Sequence, residues 1–185
     1  YGLNYEGLDP DVVLVITDNS FETAKPGESA ARVKLGDHPE EIRLLGNSAT
    51  GPGWNGLVFE GAVQRDLALD ADDSLPLIVS TSFSVAAEAT LTVSPGAVFK
   101  ATGCGGKVMI DGRLLASGTA ESPIVFTSIK DDSDANDTNG DGGASTPAPA
   151  DWGYMRFTAG AQGTLEHVFF GYGGVACSGY DNYSM

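Results

Sequence analysis

Apolar positions along the chain fall in short runs, each closed by turn-forming residues. Val12-Val13-Leu14-Val15-Ile16 is β-branched and ends at Thr17-Asp18-Asn19-Ser20. Ala31-Arg32-Val33-Lys34-Leu35 and Glu41-Ile42-Arg43-Leu44-Leu45 alternate apolar and polar positions, as strands buried on one face do. Gly46 to Gly53 reads as a loop, and Leu57 to Val63 as the next strand. Glycine, at 25 residues, sits mostly between the runs, which favours many strands and tight turns over long helices. Strands at this spacing predict a small β-sandwich over residues 1–66. The aspartate-rich stretch that follows, with Asp70, Asp72 and Asp73 before Pro76, predicts a linker over 67–75.

From residue 76 the rhythm changes. The runs are Leu77-Ile78-Val79, Phe83 to Val85, Ala89 to Val93, Ala97 to Phe99, Val108 to Ile110, Leu114 to Ala116, Ile124 to Phe126, Tyr154 to Phe157 and Leu165 to Phe170. The step from Leu91 to Leu114 is 23 residues, the length of a solenoid coil made of three short strands. The spacing predicts parallel strands at 89–93, 108–116, 124–128 and 165–170, with Leu91, Leu114 and Phe126 facing inward. Periodicity alone also admits a conventional sandwich.

Two resemblances sharpen this. "VVLVITDNSFET", "ARVKLGDHPEEIRLLGN" and "NGLVFEGAV" resemble an Ig-like repeat of bacterial and archaeal surface proteins, apart from Trp54, which stands where a small polar residue is usual. "LIVSTSFSVAAEATLTVSPGAVFKA", "KVMIDGRLLASGTAESPIVFTSIKDD", "DWGYMRF" and "LEHVFFGYGG" resemble the right-handed parallel β-helix proteins that many bacteria secrete. Tyr154 departs from that pattern, as do Phe169 and Phe170. Together the resemblances imply an all-β chain: an Ig-like β-sandwich module at 1–66, a linker, and a short right-handed parallel β-helix at 76–185.

Charge narrows the partners. The 25 acidic and 10 basic residues give a formal net charge of −15, which would repel a phosphate backbone and excludes nucleic acid as a natural partner. No apolar run is long enough to span a membrane. The opening at Tyr1, without methionine or leader, fits a removed signal peptide or a cut from a longer chain. A secreted or cell-surface protein is expected, and in that setting the two cysteines, Cys104 and Cys177, are expected to form a disulfide.

The densest chemistry lies in the insertion at 129–150. Asp137-x-Asn139-x-Asp141-Gly142 has the spacing in which side-chain oxygens converge on calcium, although Ala148 replaces the glutamate that an EF-hand requires. Asp131, Asp132, Asp134 and Asp151 are candidates to complete a different cage; a solvated acidic loop is the alternative. Polysaccharide-cleaving enzymes share the β-helix, but Lys100, Asp111, Arg113, Arg156, Glu166 and His167 are scattered, so no catalytic set is expected. Glu166 and His167 would point to opposite faces of one strand, and His38 reads as a surface turn residue. Neither histidine has partners at zinc-ligand spacing. Tyr1, Tyr5, Tyr172, Tyr180 and Tyr183 offer rings for stacking on sugars. The sequence therefore points to a non-catalytic structural or adhesive surface protein with calcium as its cofactor. It would associate with itself head to tail into filaments, or with other surface proteins; a carbohydrate-binding or carbohydrate-cleaving module is the alternative.

Overall fold

The structure is a computed structural model that describes residues 2–6 and 12–174. Every strand pairing in it is parallel, and the strands wind as successive coils of one β-helix. Strand β1 (Leu3–Glu6) precedes the first coil, which holds β2 (Val13–Thr17), β3 (Ser20–Glu22) and β4 (Ser29–Leu35). The second holds β5 (Glu41–Leu45), β6 (Ser48–Thr50) and the long β7 (Trp54–Val63). The third holds β8 (Leu67–Ala71), β9 (Leu77–Val79) and β10 (Phe83–Val85), and the fourth β11 (Thr90–Val93), β12 (Val98–Ala101) and β13 (Val108–Ile110). The fifth holds β14 (Arg113–Ser117), β15 (Ile124–Ser128) and β16 (Met155–Phe157); β17 (Gln162–Glu166) and β18 (Val168–Phe170) begin the sixth.

One wall is the sheet β17-β14-β11-β8-β5-β2. Its inward positions form a continuous ladder, Leu14–Ile42–Leu69–Val93–Ala116–Leu165. A second inward ladder on the opposite sheet runs Leu57–Leu77–Phe99–Phe126–Phe170. Its rings stack, with centroids 4.5 Å apart for Phe99 and Phe126 and 5.2 Å for Phe126 and Phe170. Leu91 pairs with Leu114 in the register that the 23-residue step predicts, and both are buried, as is Phe126. The strands expected at 108–116 and 165–170 each divide at a corner. In the second case the corner is His167, at φ 47°, so Glu166 and His167 do not share one strand.

Two expectations are corrected. Residues of the 1–66 segment do not form an Ig-like sandwich: β4 pairs in parallel with β7, β2 with β5, and β5 with β8, so these strands are the first coils of the same helix. The stretch 67–75 is no linker, because Leu67, Leu69 and Ala71 are buried ladder positions of β8, and only the alternate side, with Asp70, turns outward. In the first two coils a single long strand covers the path that two strands share later. β7 pairs with β9 through Leu57 and Val58, then with β10 from Gly61 onward. Gly61 permits that change of direction: its φ is +104°, and a Cβ there would lie 2.1 Å from the Leu35 carbonyl oxygen.

His38 is also not a surface residue. It is buried, Nδ1 lies 2.8 Å from the Pro39 carbonyl oxygen, and Nε2 accepts the Gln64 N–H at 3.0 Å. A carbonyl only accepts, so Nδ1 carries the proton and the ring is neutral. Burial pushes its pKa down, as does the nearby Arg65, against the Pro39 carbonyl and Asp37. The unfolded chain takes up this proton from about pH 6.5 downward while the folded one does not. Stability is therefore unaffected by His38 above that pH and falls as pH drops below it, by at most about 1.4 kcal/mol per pH unit. Urea midpoints measured between pH 7.5 and 5.5 should show this decline, and His38→Gln should flatten it.

Candidate functional site

The insertion leaves the helix after β15 and rejoins it at β16, crossing the outer face of the sheet on the way. The outward column there is Val58–Ile78–Lys100–Thr127, one residue from each of four coils. Ile129 buries against Val58 and Ile78, with Trp54 packed beside them. Farther along, the Asn55 backbone N–H donates to the Thr138 carbonyl at 2.8 Å, and its side-chain amide donates to the Asp137 carbonyl at 3.0 Å. Gly140, at φ +69°, allows the chain to pass Gly53, whose carbonyl oxygen a Cβ would approach to 2.3 Å.

Lys100 is the cation at the centre of this strap. It is fully buried, and Nζ donates to the carbonyls of Asp131 at 2.6 Å and Asn136 at 2.9 Å. Burial pushes its pKa down to about 8, against the pull of Asp131, Asp132, Asp134 and Asp137. Sequence reading placed Lys100 only among scattered groove candidates. The missed signal is a lysine inside the run Val98-Phe99-Lys100-Ala101, at an outward position with apolar neighbours.

The seven candidate ligands separate by what they touch. Asp131 is buried: Thr127 Oγ1 donates to its Oδ2 at 2.6 Å, and Ser133 donates to its Oδ1 through N and Oγ. Burial opposes its ionisation, but the bonds from Ser133 and Thr127 and the charge of Lys100 outweigh it and hold the carboxyl below the usual range. Asp151 ties the two ends of the insertion together, accepting from Ser128 Oγ, Lys130 Nζ and the Ala148 N–H at 2.8–2.9 Å. Asp134 lies beside Asp72, Asp73 and Glu121 in a small acidic recess.

Asp132, Asp137 and Asp141 are the ones that converge, each with a carboxylate oxygen within 4.8 Å of the others'. Partial burial and the charge of Asp137 raise the pKa of Asp132. Asp137 accepts the backbone N–H groups of Asp141 and Gly142, and Asp141 accepts those of Ala144 and Ser145 together with the Ser145 hydroxyl. Asn139 donates to Asp141 Oδ2 at 2.8 Å and to Ser145 Oγ at 2.9 Å, while its own Oδ1 is buried without a hydrogen-bond partner. The three converging carboxylates of Asp132, Asp137 and Asp141 are hard oxygen donors of the kind that could hold a calcium ion.

The other chemistry-bearing residues do not come together. Arg113 lies on the outward face of the β17-to-β2 sheet, Arg156 on the outward face of β16, and Asp111 accepts from Thr158 Oγ1 at 2.7 Å. Tyr154 lies under Lys107, whose Nζ is 5.1 Å from the ring centroid. Arg113 does border a groove of about 890 Å³, with Glu40, Arg65, Asp66 and Glu88 along its sides. A second concavity, about 520 Å³, opens at the last coil and is lined by Trp152, Met155, Phe157, Leu165, Phe170 and Tyr172, among others. Of the aromatic candidates, Tyr5 packs on the core and Tyr172 lines this mouth. Tyr1, Tyr180, Tyr183 and Cys177 lie outside the described residues. Among the described residues, no helix is long and apolar enough to cross a membrane.

No curated protein and no solved structure matches the chain. The sequence profile of the family described as "Pectate-lyase like beta helix domain" matches residues 61–182, about two thirds of the chain and the part that holds the third coil onward. With that match over coils whose strands are all parallel, the chain belongs to the pectate-lyase-like β-helix family.

Proposed function

We propose that the chain is a non-catalytic structural module of a secreted or cell-surface assembly, stiffened by calcium in its acidic insertion and able to associate end to end with further copies. The observation that carries this reading is the insertion itself. Lys100, Asp131 and Asp151, the residues that reactive chemistry would want free, are consumed in fastening the strap. The carboxylates left over, Asp132, Asp137 and Asp141, face one another. End-to-end association is supported by the side chains at the end of the described coils, where Phe157 of the fifth and Leu165, Phe169 and Phe170 of the sixth are all more than a third exposed.

Calcium that binds the folded state alone raises its stability by about 2.7 kcal/mol at a hundred times the dissociation constant. For a chain of this size that corresponds to a rise in Tm of about 5–10 °C. Calorimetry in millimolar calcium and in chelator should show that rise, and Asp137→Asn with Asp141→Asn should abolish it. Identical melting in both conditions would reject calcium. Association is read by sedimentation across a concentration series with calcium present.

A second reading is favoured by the groove beside Arg113, which Glu40, Asp66 and Glu88 line together with Arg65 and Arg113. Such a surface, with both donors and acceptors, suits a hydroxylated polysaccharide, in keeping with a family described as pectate-lyase-like. A glycan array and a lyase assay on acidic polysaccharides separate the two readings: binding or cleavage that Arg113→Ala removes would favour the groove.

A further inference from the structure

The insertion holds a modification motif that neither the calcium reading nor the groove uses. Asn136-Asp137-Thr138 is an Asn-x-Thr triplet without proline in the middle, the pattern that accepts an asparagine-linked glycan in secreted proteins. Short motifs recur by chance, so placement decides. Asn136 is exposed, while its backbone carbonyl accepts from the buried Lys100 Nζ at 2.9 Å, which fixes the main chain and leaves the side chain to solvent. The turn there is left-handed at two successive residues, with φ 53° at Ala135 and 63° at Asn136, a conformation that asparagine tolerates better than most side chains do. Asn4, Asn19, Asn47, Asn55 and Asn139 all bond through their side chains. Among the described asparagines only Asn136, the one that heads the triplet, makes no side-chain hydrogen bond. A substituent on its Nδ2 therefore breaks no bond.

Thr138 is placed the opposite way. It is fully buried, its Oγ1 donates to the carbonyls of Asn136 at 3.3 Å and Ala135 at 3.4 Å, and its own carbonyl accepts the Asn55 N–H at 2.8 Å. The hydroxyl that defines the triplet is thus out of reach of a transferase once the strap lies on the sheet. We propose that Asn136 carries an N-linked glycan, transferred before the strap docks and left on its solvent side afterwards. In the transfer, Asn136 Nδ2 bonds to the anomeric carbon of a lipid-linked oligosaccharide. The bond from that carbon to the lipid phosphate breaks, the phosphate leaves with the lipid, and one amide proton passes to a base. The glycan then shields the strap, an exposed loop of the kind that proteases nick. The site rests on the secreted or cell-surface reading; calcium and end-to-end association play no part in it.

The test is peptide-resolved mass spectrometry of the full chain, recovered from the surface and interior fractions of the cells that make it. Asn182-Tyr183-Ser184 is a second such triplet, outside the described residues, so total mass alone does not locate a glycan. The expected result is surface protein whose Asn136 peptide carries a glycan that peptide N-glycosidase removes, leaving aspartate. The glycan should be lost from that peptide in Asn136→Asp, a variant that also tolerates the left-handed turn. Folded protein at the surface with Asn136 bare overturns the site and leaves the surface reading intact. Protein confined to the interior overturns both. Bare protein that is folded first and then incubated with an oligosaccharyltransferase and a lipid-linked oligosaccharide should stay unmodified at Asn136; modification there overturns the order of events. Limited proteolysis should cut the 129–154 segment of the glycosylated protein several-fold more slowly than that of Asn136→Asp, and equal rates would overturn the shielding.

Discussion

Phe99→Ala is expected to destabilise the fold by about 3–5 kcal/mol, the range for removing a large aromatic side chain from a packed core. Phe99 is buried in the middle of the inward ladder, with Phe126 stacked on one side at 4.5 Å and 6° and Phe83 on the other at 6.2 Å and 24°. Its ladder neighbours Leu77 and Phe126 are fixed by parallel backbone pairing one coil away in each direction. They cannot slide inward to fill the space without breaking register, so the cavity persists and the full cost is felt. Phe169→Ala is the control. Phe169 alternates with Phe170 on the outside of β18 and is about half exposed, so its loss should cost far less. Chemical denaturation of both variants, analysed at constant m-value, checks the pair. A cost below about 1.5 kcal/mol for Phe99→Ala would mean that the ladder relaxes as a soft core does, and the stacked-coil account of stability would fail.

The same ladders show what a single sequence reveals and what it hides. Alternation such as Thr90-Leu91-Thr92-Val93 tells which side chains turn inward, and a 23-residue step tells which residue lies one coil above; Leu91 and Leu114 satisfied both. In the first segment alternation is the stronger signal. Alternation fixes the buried face of a strand but not its partner, so the runs at 31–35 and 41–45 suited an antiparallel sandwich equally well. The partner was written elsewhere. Asn19-Ser20 recurs as Asn47-Ser48, and in the structure the Asn19 side chain donates to Asn47 Oδ1 at 3.0 Å while the two serine hydroxyls lie 2.8 Å apart. That 28-residue echo is a coil length slightly longer than the 23-residue step from Leu91 to Leu114, and it marks a turn stacked on its copy. In β8, Leu67, Leu69 and Ala71 carry the period of a strand beside the outward Asp70. At the insertion, the spacing of Asp137, Asn139 and Asp141 was legible because it is local. The arrival of Asp132 beside them, and the use of Asp131 and Asp151 as fastenings, depend on how the loop folds back over Lys100, a contact between residues 31 to 36 positions apart.

Lys100 therefore supplies the other large effect, and its sign is the informative part. An ordinary lysine titrates near 10.5; this one is held at about 8, chiefly by burial. Below pH 8 both the folded and the unfolded chain carry the proton, and the folded chain bears the cost of a buried charge. Between about 8 and 10.5 the folded chain has released the proton while the unfolded chain keeps it, so stability rises with pH across that window. The gap corresponds to at most about 3 kcal/mol, and water at the edge of the loop screens part of that, leaving about 2 kcal/mol. The neutral amine keeps two N–H groups, enough for the Asp131 and Asn136 carbonyls, so the strap remains satisfied after the proton leaves. Unfolding free energies measured in chelator from pH 7.5 to 10.5 should therefore increase in the wild type, and the increase should vanish in Lys100→Met. The methionine variant also leaves the Asp131 carbonyl without its Lys100 donor and the Asn136 carbonyl with only the longer bond from Thr138 Oγ1 at 3.3 Å, so limited proteolysis should cut its 129–154 segment faster at pH 7.5. If wild type and variant instead follow the same pH curve, Lys100 keeps an ordinary, solvated charge, and the strap is held by Ile129, Asn55 and Asp151 alone.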